Sequence, residues 1–119
     1  MKRVEANDPT ALSQMACVKK QEGDYKSAVE YLTRAIALGD VEAHFGFSFL
    51  YADGLGVKRD KKKDIYHLEQ AAIGGHASAR FNLGCAEKDR GRLDRAVKHW
   101  IIAAKQGDND SMQALKKCL

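Results

Sequence analysis

Phe47-Ser48-Phe49-Leu50-Tyr51-Ala52-Asp53-Gly54-Leu55-Gly56-Val57-Lys58-Arg59-Asp60 reads as the last turns of one helix, a glycine turn and the capping residue of a second helix. Two glycines suited to positive φ and an aspartate immediately before Lys61 support that division. The same glycines lack the Lys-Ser/Thr ending of a phosphate-binding loop, so they are read as turn residues. A two-helix unit acquires its meaning from the chain on either side, because self-similarity at a fixed interval is the signature of repeat architectures.

The interval is present. Arg34-Ala35-Ile36-Ala37-Leu38-Gly39, Gln70-Ala71-Ala72-Ile73-Gly74-Gly75 and Ile102-Ala103-Ala104-Lys105-Gln106-Gly107 align without gaps. Ala11, Ala43, Ala79 and Ser111 share one place at spacings of 32, 36 and 32 residues, and the long turn accounts for the larger middle unit. The chain therefore reads as a single repeat domain over 1–119, with repeats at 8–39, 40–75 and 76–107 and a terminal helix at 108–119. Residues 1–7 align with the end of a preceding second helix, Asn7 standing in the glycine place, which gives the expectation of an excerpt from a longer array.

Each repeat divides into a helix A and a helix B. Asp8 and Pro9 mark the start of the first helix A, which runs to about Glu22. After Gly23 and the capping Asp24, Tyr25, Ala28, Val29, Leu32, Ala35 and Ile36 recur at helical spacing. The later helices are expected over Val41–Asp53, Lys61–Ile73, Ala77–Arg90 and Arg92–Gln106, with Met112, Leu115 and Leu119 along one face of the last.

Composition narrows the function. A chain of 119 residues, 45% apolar and 30% charged, suits one soluble domain, and no segment is apolar enough to span a bilayer. The N-terminus has no apolar signal core, which gives an expectation of an intracellular, cytoplasmic protein. Twenty Lys and Arg against sixteen Asp and Glu leave a mild net charge of +4, spread along the chain. Cys17, Cys85 and Cys118 lack the paired spacing of a disulfide framework or a zinc site and read as packed thiols. His44, His67, His76 and His99 form no i, i+4 pair, and His67 and His99 hold the same place in successive repeats. No Ser-His-Asp or Cys-His order emerges, so the expectation is no enzyme, no cofactor and no metal.

The pattern Ala-x-x-x-Leu-Gly-x-x-Tyr-x-x-Gly-x-Gly-Val-x-x-Asp followed by Ala-Ala-x-x-Gly resembles the Sel-one-like repeat, a relative of the tetratricopeptide repeat. Repeat 2 carries it best through Ala43, Phe47, Ser48, Tyr51, Gly54, Gly56, Val57, Asp60, Ala71, Ala72 and Gly75. Repeat 3 keeps Ala79, Leu83, Gly84, Ala103 and Ala104 but has Glu87 in the tyrosine place, and repeat 1 has Met15, Ala16 and Lys19 there. The resemblance implies an all-α, right-handed α-solenoid of antiparallel helix pairs. Small residues at Ala16, Ser48 and Gly84 beside large ones at Met15, Phe47 and Leu83 suit close helix packing, which each unit completes by stacking on its neighbours. Asp64 stands where Ala28 and Ala96 stand in the other repeats; in the first turn of a helix it is expected to remain solvated near the helix dipole.

The resemblance also implies a protein-interaction scaffold or adaptor. At about 100° per residue, Phe45, Phe49 and Ala52 point away from the core stripe of their helix. The equivalent places are Ser13, Cys17 and Lys20, then Phe81, Cys85 and Lys88, then Gln113 and Lys117. In tetratricopeptide-like arrays this face lines the concave groove, so these residues are the expected surface for a peptide or protein partner. Family members joined to a RING domain make substrate recruitment for a ubiquitin ligase the alternative. The basic run Lys58, Arg59, Lys61, Lys62 and Lys63 is a weaker candidate for nucleic acid, lacking interleaved aromatics. The apolar face of the terminal helix offers a route to self-association.

Overall fold

The computed structural model describes residues 8–118, and every described element is a helix: α1 (Pro9–Gln21), α2 (Tyr25–Ala37), α3 (Val41–Asp53), α4 (Lys61–Ile73), α5 (Ala77–Asp89), α6 (Leu93–Lys105) and α7 (Asn109–Lys117). The expected helix end over residues 1–7 and the place of Leu119 lie outside the described residues. Two compact units divide at His67, within α4.

Local signals set the helix starts. Asp8, Asp40 and Asp108 cap α1, α3 and α7, each carboxylate accepting backbone N–H groups of the first turn. His76 holds the same place before α5, its Nδ1 accepting from the Ala79 N–H at 3.1 Å. Asp24 caps α2 through Ser27, and those bonds hold its carboxyl below the usual carboxylate range. Asp60 caps α4 through the Lys63 N–H at 3.1 Å.

In the unit of residues 1–67, α1 and α2 pack as a pair and α3 packs on α2. Leu12, Ala16, Leu32, Ala35, Ala43, Phe47 and Leu50 form the buried cluster. The long turn folds back on it, with Leu55 and Val57 packed against the cluster. Asp60 N–H donates to the Tyr51 carbonyl at 3.1 Å and closes the turn. Gly56, at φ +73°, lies so near the start of α2 that a Cβ there would sit 2.7 Å from the Tyr25 carbonyl oxygen.

Asp64 departs from expectation. It is 4% exposed, not solvated: Ser48 Oγ donates to its Oδ1, and Lys61 Nζ lies 3.4 Å from its Oδ2. The reason is its place in the repeat. It faces the small residue of helix A, and Ser48 supplies a hydroxyl where Ala16 and Gly84 have none.

In the unit of residues 68–119, α5 pairs with α6 and α7 packs on α6. Leu68, Ala71, Ala72, Ala79, Leu83, Ala96, Trp100 and Ala103 are buried. Trp100 Nε1–H donates to the Phe81 carbonyl at 3.2 Å, so its ring lies directly over Gly84. Glu87, in the place of Tyr51, draws Arg90, Arg92 and Arg95 to within 3.7, 4.0 and 3.6 Å and ties the turn into α6.

Two substitutions test these contacts. A Cβ at Gly84 would lie 2.3 Å from Trp100 Nε1, whereas at Gly46 it would meet the Leu32 side chain at 3.3 Å. Gly84→Ala is expected to lower unfolding free energy by about 1–3 kcal/mol in urea titration, the cost of overpacking, and Gly46→Ala by less. Ser48→Ala should cost about 1–3 kcal/mol by leaving a buried carboxylate short of a donor, and the double change with Asp64→Ala should recover most of it.

Candidate functional site: clefts between A helices

α1 and α3 leave a cleft of about 180 Å³ lined by Ser13, Cys17 and Lys20 from one helix and Phe45 and Phe49 from the other. Leu32 of α2 and Glu42 at the head of α3 complete it. Phe45 and Phe49 meet edge to face at 5.1 Å, and Lys20 Nζ stands 5.4 Å from the Phe49 ring centre. Phe49 remains 44% exposed, so its ring is available as surface. Ser13 is drawn toward the helix start, its hydroxyl donating to the capping carboxylate of Asp40.

The second unit holds a cleft of about 650 Å³ between α5 and α7, lined by Phe81, Cys85 and Lys88 and by Gln113 and Lys117. Trp100 lies 6.4 Å from Phe81, centre to centre, and Asp110 lines the cleft as well. The expected site residues are thus divided between two clefts, five in one and three in the other.

The clefts occupy equivalent places 68 residues apart: Cys17 with Cys85, Lys20 with Lys88, Leu32 with Trp100, Glu42 with Asp110, Phe45 with Gln113 and Phe49 with Lys117. Their chemistry is not the same. In the first, the second-coming helix α3 supplies the aromatic wall; in the second, the aromatic residues are Phe81 on α5 and Trp100 on α6, and α7 brings an amide and an ammonium. Burial, and then the charge of Asp89, raise the Cys85 thiol above its ordinary value. Cys17 and Cys118 are exposed, against the expectation of packed thiols. Among the described residues no three of His, Cys, Asp and Glu converge as a metal set.

Sequence reasoning passed over Glu42 and Asp110. Their signal was positional, an acid two residues after the capping aspartate in both repeats. It also passed over the partners of the histidines. His67 Nδ1 lies 2.9 Å from His44 Nδ1, and His99 Nδ1 lies 3.5 Å from Arg80 Nη1. The basic run is partly engaged: Lys61 pairs with Asp64, and Lys63 Nζ stands 5.4 Å over the Tyr51 ring.

Known proteins share this pattern. The Sel1 repeat model matches residues 41–76 and 77–108, and the tetratricopeptide repeat model matches residues 9–38. The sequence is 29% identical over 86 residues to chitin synthase regulatory factor 4 of Schizosaccharomyces pombe, covering 71% of this chain and 14% of that protein. Among solved structures, a Sel1 repeat protein from Oxalobacter formigenes superposes with a TM-score of 0.80 at 30% identity, covering 92% of this chain and 48% of the other. The protective antigen c5321 of uropathogenic Escherichia coli, which displays an SLR fold, superposes with a TM-score of 0.79 at 24% identity, covering 92% of this chain and 25% of the other. This chain thus spans less than half the length of each. Among the described residues no helix is long and apolar enough to cross a membrane. The protein is an all-α helical-repeat chain of the solenoid class and belongs to the Sel1 repeat family, whose repeats, like tetratricopeptide repeats, are protein–protein interaction modules.

Proposed function

We propose that the protein is a non-enzymatic adaptor that holds a peptide or protein partner on the inner faces of its A helices. The observation that carries this reading is the open cleft that recurs at equivalent places in both units. A helix face left over from core packing is normally polar. Here it holds Phe45 and the half-exposed Phe49, with Lys20 over the ring. Aromatic anchors rimmed by charge are the composition of interface hot spots. Kinship with a protein named as a regulatory factor for chitin synthase supports a regulatory and non-catalytic role. The engagement of Lys61 and Lys63 within the fold speaks for protein over nucleic acid as partner.

Affinity capture tests the reading. The intact chain should retain a partner that Phe49→Ala or Phe81→Ala loses by about 10-fold or more, while Ile101→Ala, at an exposed place on α6, leaves capture unchanged. Phe49→Ala should lower unfolding free energy by well under the ~3–5 kcal/mol expected for Phe47→Ala in the core. A collapse in melting temperature with Phe49→Ala, or capture that ignores both Phe changes, would sink the cleft as the binding surface.

A further inference from the structure

In repeat 2, the 2.9 Å separation of the His44 and His67 Nδ1 atoms needs one nitrogen carrying hydrogen and the other a lone pair. The His67 ring is held in place by near-parallel neighbours, Phe47 at 5.0 Å and Tyr51 at 5.7 Å, and Tyr66 meets it edge-on. Its charged surroundings are Lys63 and Asp64 on α4 and His44 on α3, with Asp40 facing His44. Repeat 3 builds the same seam from a different pair. Arg80 takes the place of His44, and His99 that of His67.

A guanidinium only donates, so His99 must present a bare Nδ1 to Arg80. Arg80 has little slack: Nη2 donates to the Ala72 carbonyl at 3.4 Å, and its buried Nε has no partner among the described residues. Glu87 and Glu69 are the carboxylates facing His99. Two successive repeats therefore bridge helix A and helix B through an imidazole: one proton on His99 removes its bond to Arg80, whereas the His44–His67 pair keeps its bond with one added proton and loses it with the second.

We propose that these two seams are acid-sensitive latches: double protonation of the His44–His67 pair and protonation of His99 break the Nδ1 bonds, set like charges face to face, and loosen helix A from helix B in repeats 2 and 3. Burial already resists that protonation. It lowers His67 to about 4, with the charges of His44 and Lys63 adding to the push and Asp64 opposing. His44 is lowered by burial against the pull of Asp40; His99 is lowered by burial and then by Arg80, against Glu87 and Glu69. A histidine depressed in the folded chain binds more protons when unfolded. Its contribution is therefore whole above about pH 6.5 and is lost as pH falls toward about 4. Because α3 also carries Phe45 and Phe49, release of a partner in acid would follow if the cleft binds as proposed above; the latch itself does not depend on that reading.

Histidine NMR titration of the full chain, with amide hydrogen exchange between pH 7.5 and 4.5, tests the proposal without any partner. The expected result is a His44–His67 pair that takes up its second proton well below pH 6.5, with protection in α3, α4, α5 and α6 falling about tenfold or more by pH 5 and α1 and α2 unaffected. His67→Phe keeps the ring stack, removes the bond and should abolish the pH dependence of α3 and α4 only, whereas His99→Phe should abolish that of α5 and α6. Ordinary titration of both histidines, a uniform loss of protection along the chain, or wild-type pH dependence in the Phe variants would overturn it. Should a variant fail to fold, the wild-type titration and exchange map decide by themselves.

Discussion

Where Trp100 crosses Gly84 there is no room for even one more carbon, and that close crossing of helix B over helix A is the constraint the rest of the repeat serves. Dispersion between packed side chains falls steeply with distance, so two helices gain most when a large residue of one lies over a small residue of the other. Each repeat meets the condition differently. Repeat 1 sets Ala16 in the seam with Leu32, repeat 2 joins Ser48 to Asp64 by a hydrogen bond, and repeat 3 lays an indole over glycine and anchors it on the Phe81 carbonyl. Short turns and capping residues then hold the helices at the spacing the seam requires.

A helix committed on one side to this seam has its other side free to vary. Phe45 and Phe49 in one cleft correspond to Gln113 and Lys117 in the other, and Ser13 on α1 to Phe81 on the equally long α5. Conserving the crossing while changing the cleft is how one repeat scaffold comes to offer surfaces of different chemistry. The clefts keep three shared features, an acid at the head of the later helix and, on the earlier one, a cysteine and a lysine toward its end.

Helix limits were legible in the sequence because the forces that set them are local. Val41–Asp53 and Lys61–Ile73 coincide with expectation, and α5 and α6 each end a residue earlier. Caps, glycines and a fixed interval suffice for that. Asp64 was misread by the same local logic, since an acid in a first helical turn is normally solvated. Its burial depends on Ser48, sixteen residues away and significant only in register with Ala16 and Gly84. The histidines show the same division. The equivalence of His67 and His99 could be read from spacing, but their partners His44 and Arg80 share a place without sharing a chemistry. The grouping of the site residues into clefts depends on which helices pack side by side within each unit, a matter that a helical projection does not contain.

The place of Tyr51 and Glu87 shows how one substitution alters an entire seam. In repeat 2, the tyrosine ring lies within 6° of parallel to His67 and offers no countercharge to an imidazolium. In repeat 3, the glutamate gathers three arginines and also faces His99, where its charge favours protonation. The two imidazoles are therefore not equally reluctant. Burial among aromatic rings holds His67 down to about 4, and the carboxylates near His99 offset part of what burial and Arg80 impose. The residue in the tyrosine place thus decides whether the imidazole of its repeat faces an aromatic ring or a carboxylate.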